Sequence, residues 1–192
     1  TLAGIGDAMG MRWRARHADE ESLARHRIVK LRALCTRLTR ASPFFRDYLA
    51  ALDTRRMSIE EFDRLPVLDK RAMMERFDDW NTAGLRRDAL LAFARENDRT
   101  RDYSRWFEGR WSIGLSSGTS GASGLAVYSR GEIARGVFRF LARTGLPRGL
   151  AAHRVMFALR TGAAAFAEIN RFGWILHHVD YRRPLPAVVD EI

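Results

Sequence analysis

The sequence holds one cysteine, Cys35, in 192 residues. No internal disulfide can form, a zinc site cannot be built from cysteines, and disulfide-stapled scaffolds are excluded. Lysine is almost as scarce. Lys30 and Lys70 are the only two among 33 basic residues, and the remaining 31 are arginine. No apolar run approaches the ~18 residues that a membrane span requires, so no membrane partner is expected. No charged segment followed by an apolar one opens the sequence, and with the lone thiol this sets the expectation of a cytoplasmic protein. Proline (5) and glycine (15) are too few for a collagen-like or low-complexity chain. What is present is 46% apolar, 10% aromatic and 29% charged residues. That composition suits a folded domain able to bury roughly 70% of its unfolded surface.

The formal net charge of +10 makes nucleic acid the first partner to weigh. The distribution argues against it. Residues 1–40 carry 9 basic and 4 acidic side chains, 41–110 carry 14 of each, and 111–192 carry 10 and 5. No basic block, zinc-finger spacing, zipper heptad or RNA-binding signature occurs, so nucleic acid is not an expected partner.

Gly4, Gly6 and Gly10 make residues 1–10 read as a loose terminus. From Glu20 to Arg40, Leu23, Ile28, Leu31, Leu34, Cys35 and Leu38 form a helical stripe. Arg25, Arg27, Arg32 and Arg37 are left for the wet side. Pro43 ends that helix and a short one follows through Leu52. Ser58 and Glu61 spell a capping box, and Asp69 caps a helix expected to run through Phe77. Residues 78–110 are charge-dense, with helix expected around 85–95. At Trp111 the texture changes. Residues 111–115 and 125–128 read as strands around a small-residue loop, which can close a hairpin. Ser129 and Glu132 cap a helix with the stripe Ile133, Val137, Phe138 and Leu141. Strands at 155–159 and 174–179, a small-residue helix at 163–173 and a last helix from Leu185 complete the reading. This predicts an α/β fold: a mostly helical part over 1–110, then an α/β part over 111–192 with a mainly parallel sheet and flanking helices.

The chemistry is concentrated in Ser116-Ser117-Gly118-Thr119-Ser120-Gly121-Ala122-Ser123-Gly124. Five hydroxyls and three glycines stand in nine residues. Glycine permits positive φ and close backbone approach, so successive N–H groups can converge on one anion, while hydroxyls add donors for phosphate oxygens. A plain hairpin turn has similar composition. The lysine-bearing P-loop is excluded, because neither lysine lies near the segment. Gly114-Leu115-Ser116-Ser117-Gly118 spells a hydrolase nucleophile elbow, but an elbow runs from strand to helix and here a strand follows. No histidine follows Asp180 to complete that triad. His177-His178, adjacent on a strand, point to opposite faces and cannot share a metal. No metal site and no catalytic residue is assigned.

The loop resembles the phosphate-binding signature of adenylate-forming enzymes, Ser/Thr-Ser-Gly-Thr/Ser-Thr-Gly followed by a basic residue or proline. The resemblance is closest to the phenylacetate–CoA ligase branch, which includes the deazaflavin-adenylylating synthetases. Leu34 through Phe45-Arg46 is similar to that branch's helix ending in Ser/Val-Pro-Phe-Tyr-Arg, and Leu65-Pro66 to Lys70 to its Leu-Pro-x-x-x-Lys segment. Tyr128 to Glu132 loosely resembles its strand-to-helix passage after the loop. The likeness spans about residues 30–192, and it departs at Ala122 and Ser123, where the family commonly has a cation or proline.

The resemblance implies ATP-dependent activation of a small-molecule carboxylic acid, with Mg2+ entering alongside ATP and coenzyme A as a candidate acceptor. Ser116, Ser117, Gly118, Thr119, Ser120 and Gly121 would hold the β- and γ-phosphates. The family's ribose-binding acid, its Tyr-Gly-x-Thr-Glu segment and its C-terminal lysine domain have no counterpart before Ile192. The expectation is therefore the N-terminal portion of a ligase, inactive alone and completed by a C-terminal part in cis or by a partner chain. The alternative is a non-catalytic basic α/β binding module for a nucleotide, nucleic acid or protein.

Overall fold

A computed structural model describes residues 2–116, 124–143, 154–159, 164–165, 175–180 and 183–189. The chain is mostly helical and carries a small two-stranded antiparallel sheet. It divides into two compact units, Trp13–Ala89 and Thr1–Arg12 with Leu90–Ile192. Among the described residues no helix is long and apolar enough to cross a membrane.

The first element, α1 (Leu2–His17), replaces the expected loose terminus. Its glycines cost roughly 1 kcal/mol each against alanine, so contacts elsewhere must offset them. At its C-terminal end the Trp13 and His17 rings stack one turn apart, 5.2 Å between centroids, and His17 Nδ1 donates to the Trp13 carbonyl at 2.9 Å. Nearer the start, Arg139 donates through Nε and Nη2 to Asp7 at 3.2 and 2.9 Å. That link spans most of the chain and is invisible to any local reading.

The Trp13–Ala89 unit is helical. Asp19 accepts the Ser22 N–H at 2.8 Å and opens α2 (Glu20–Ala41), whose bounds match the expected stripe. Ser42 ends α2 and caps α3 (Pro43–Tyr48), with Pro43 in the first turn where its missing N–H is not needed. The Ser58–Glu61 capping box forms and opens α4 (Ile59–Asp63). Asp69 caps α5 (Lys70–Glu75). This helix stops short of Phe77, because Arg76 leaves helical geometry and α6 (Phe77–Trp80) starts anew. The break turns Phe77 into the interior, where it meets Trp80 edge-on at 5.0 Å. Asn81 shapes the next turn, bridging the Phe77 and Leu85 carbonyls through Nδ2 and accepting Leu85 N–H, all at 2.9 Å. Gly84 takes φ +69° in that turn, a value that strains any side chain.

The core of this unit is Cys35, Leu49 and Met57, with Leu31, Phe45, Tyr48, Leu52, Phe62 and Leu65 packed around it. The α2 stripe is only partly covered, since Leu23 and Leu34 remain about 40% exposed (40% and 41%). Beside Cys35 lies an open apolar groove of about 330 Å³ between Leu34, Leu38, Phe45 and the 65–68 segment. Arg32 is not on the wet side. It is half-buried and donates to the Arg56 and Met57 carbonyls at 2.8 and 2.9 Å, because its planar fork can reach two acceptors at once.

The other unit begins with α7 (Arg87–Thr100) from Leu90 onward, where Leu90, Ala94 and Asn97 form the buried face at helical spacing. Next come β1 (Trp111–Leu115), β2 (Leu125–Ser129) and α8 (Arg130–Arg143). The expected Ser129–Glu132 capping box opens α8, whose Ile133, Ala134 and Val137 are buried and which packs on β2. Two further strands follow, β3 (Arg154–Leu159) and β4 (Ile175–Asp180), then α9 (Leu185–Val189). The helix expected over 163–173 lies outside the described residues apart from 164–165.

The mainly parallel sheet is not found among the described residues. β1 and β2 pair antiparallel, while β3 and β4 pair parallel from Arg154↔Ile175 to Leu159↔Asp180, and the two pairs share no strand. The connections explain the difference. A short loop can only return a strand antiparallel, whereas parallel neighbours require a crossover of a dozen or more residues, such as the stretch between Leu159 and Ile175.

Candidate functional site

The small-residue loop is held by the β1–β2 hairpin. Five rungs run from Trp111↔Ser129 to Leu115↔Leu125. One further rung lies beyond the strands: Ser116 N–H donates to the Gly124 carbonyl at 2.9 Å, and Gly124 N–H donates to Ser116 Oγ at 2.7 Å. Backbone and side chain of Ser116 together clamp the two ends of the loop. Gly124 is buried and Ser116 exposed, so the clamp faces solvent on the serine side. A hydroxyl has one donor and two acceptor positions. One acceptor position of Ser116 is used by Gly124, and its O–H has no acceptor among the described residues.

Of the six predicted phosphate-binding residues, Ser116 is placed in this way. Ser117, Gly118, Thr119, Ser120 and Gly121 lie outside the described residues, as do Ala122 and Ser123.

The base of the hairpin is anchored on both sides. Ser112 and Ile113 point to opposite faces of β1 and are both buried. Ser112 Oγ accepts the Ala165 N–H at 2.9 Å, a contact over 53 residues that ties β1 to the segment after β3. Sequence reasoning does not single out Ser112. Its only signal is a hydroxyl between two apolar strand positions. Around the strand ends, arginines lie over aromatic rings, Arg130 above Trp106 at 3.7 Å and Arg110 above Trp111 at 4.7 Å. Their charges are spread along the hairpin base. The arrangement offers a firmly based hairpin with an exposed hydroxyl, that of Ser116, at the point where the small-residue segment leaves β1.

The hairpin weighs against the rival spelling. A nucleophile elbow runs from a strand into a helix, and the next described element after Ser116 is β2, paired antiparallel with β1. The chain matches no family model, no curated protein and no solved structure. What it does must therefore be argued from its own residues.

The remaining candidates fall apart in space. His177 and His178 stand on β4 opposite Met156 and Phe157 of β3. Among the described residues, no three His, Cys, Asp or Glu side chains gather closely enough to hold a metal ion. Cys35 is buried in the helical unit, and that burial pushes its thiol pKa up, which keeps it protonated and unreactive.

Proposed function

We propose that this chain carries the pyrophosphate cradle of an adenylate-forming, carboxylate-activating ligase of the phenylacetate–CoA ligase type. The observation that carries the reading is the clamped hairpin. A run of hydroxyl and glycine residues is inserted between two paired strands, with its ends fastened by Ser116 and Gly124. A loop fastened at the stem loses less entropy on closing over a ligand than a free linker does. The parallel pairing of β3 and β4 supports an α/β body built onto the hairpin, and in the proposal these strands belong to a larger parallel sheet.

In the proposed reaction a carboxylate oxygen attacks the α-phosphorus of ATP. A new P–O bond forms and the bond to the β-phosphate bridge breaks, so pyrophosphate leaves. Negative charge grows on the departing group, and preorganised N–H and O–H donors stabilise it there. Ser116 to Gly121 supply such donors. The chain has no cation at Ala122 or Ser123, so neutral donors and the Mg2+ that accompanies ATP carry the charge.

Titration calorimetry with Mg-ATP tests the assignment. The parent chain is expected to bind, and Gly118→Asp, which sets a carboxylate among phosphate donors, to lose binding with an unchanged circular dichroism spectrum. Equal binding by both, or no binding by the parent, overturns it.

A further inference from the structure

One helix is built with little to hold it. α1 runs for 16 residues and includes Gly4, Gly6 and Gly10. Each glycine lowers the helix-forming equilibrium at its position about fivefold against alanine. A helix of this length is marginal in water even when it is rich in alanine. Packing normally makes up the difference, and α1 has little of it. From Gly6 to His17 no residue is buried, and Met9 and Trp13 are largely exposed. Its apolar residues do not gather on one side, and no other helix or strand among the described residues packs along it.

At Gly6 the glycine serves no close approach. A methyl group built there meets no atom within 4 Å outside its own stretch of helix, and the residue has no positive φ to accommodate. Alanine would fit. The glycine therefore weakens the helix with no gain in packing.

The long-range tie of α1 is ionic. Arg139 of α8 reaches Asp7 through Nε and Nη2 at 3.2 and 2.9 Å. Both side chains are partly exposed, so dissolved salt screens the pair. An exposed pair of this kind moves an equilibrium by no more than about fivefold. Against so weak a helix, that is enough to decide its state.

The neighbours of α1 do not need it. α2 carries its own cap, Asp19, which accepts the Ser22 N–H at 2.8 Å, so its first turn is secured without the preceding helix. α8 is held by its own buried face of Ile133, Ala134 and Val137. We infer that α1 is a salt-sensitive strap: a helix that docks through Asp7 on Arg139 and unwinds as a unit while α2 and α8 stay folded. The inference does not rest on the nucleotide reading, since no residue of the hairpin loop takes part.

Hydrogen exchange of the full chain, followed by mass spectrometry, tests it. Protection is read over residues 9–17, beyond the substituted positions in the sequence, and over 28–38 of α2 in the same sample. In the parent, 9–17 should be protected about tenfold less than 28–38 or weaker still, and should lose further protection in about 1 M sodium chloride. Asp7→Asn and Arg139→Gln should each lower it about two- to fivefold, and the double variant no more than either alone. Gly6→Ala should act in the opposite direction and raise it about fivefold. Protection equal to that of α2 overturns the inference, as does no response to Asp7→Asn or Arg139→Gln. So does a loss at 28–38 that accompanies the loss at 9–17, because α1 would then not come off alone.

Discussion

Replacing Ser42 by alanine removes one oxygen from a place with no solvent access. That oxygen serves two backbone groups: it donates to the Asp79 carbonyl at 2.8 Å and accepts the Phe45 N–H at 3.3 Å. The second contact is the N-cap of α3, and a lost serine cap costs about 1 kcal/mol. The first loss leaves a buried carbonyl without that donor, at about 1–3 kcal/mol. The cap bond is long, which places its share at the low end. Alanine fills nearly the same volume, so little cavity cost is added. A destabilisation of about 2–3 kcal/mol follows. Ser58→Ala is the comparator. It removes the same kind of cap from α4 at a half-buried position, where water can replace the oxygen, and should cost only about 1 kcal/mol. Urea unfolding followed by far-ultraviolet circular dichroism reads both, provided the denaturant slopes agree. The reasoning fails if Ser42→Ala costs no more than Ser58→Ala.

Asn97 sits on the buried face of α7, and its Oδ1 has no hydrogen-bond partner among the described residues. Asn97→Leu should raise the melting temperature, since burying an unpaired polar group costs about 1–3 kcal/mol; a fall in melting temperature would reveal a partner for the amide. Cys35 should react with a disulfide reagent far more slowly in the folded chain than in urea, because burial raises its thiol pKa. Equal rates would show that the core around it opens freely. The Ser22 side chain and N–H beside Asp19 lower its carboxyl pKa, and the Arg99 side chain lowers that of Glu96. A lowered folded-state pKa gives stability that is present above the unfolded value and lost as pH falls through the folded one. Helix content should therefore begin to drop only below about pH 4. Asp19→Asn, which still caps, should lose the part of that transition belonging to the start of α2, and an unchanged acid limb would remove Asp19 as its source.

Local signals were legible where a few adjacent residues decide the geometry. The stripe and Pro43 bound α2, both capping boxes form as spelled, and the hydroxyl-rich loop stands between two strands. The candidate site was legible to the same extent. Its loop could be read off, while the fastening of its ends required the register that brings Ser116 opposite Gly124. α1 escaped because its glycines argue against helix and its tie to Arg139 lies 132 residues away.

The sequence by itself determined the elements that carry a cap, a stripe or a proline, such as α2, α4 and α8, since these signals act within a turn or two of the backbone. It also determined the composition of the loop, and hence the donors that the proposed cradle would use. Only the tertiary structure decided how those elements meet. It turned Arg32 inward, and it split the strands into one antiparallel and one parallel pair. The physical reason is the same in each case. These outcomes depend on where distant backbone carbonyls and charges come to rest, and no short stretch of sequence contains that distance.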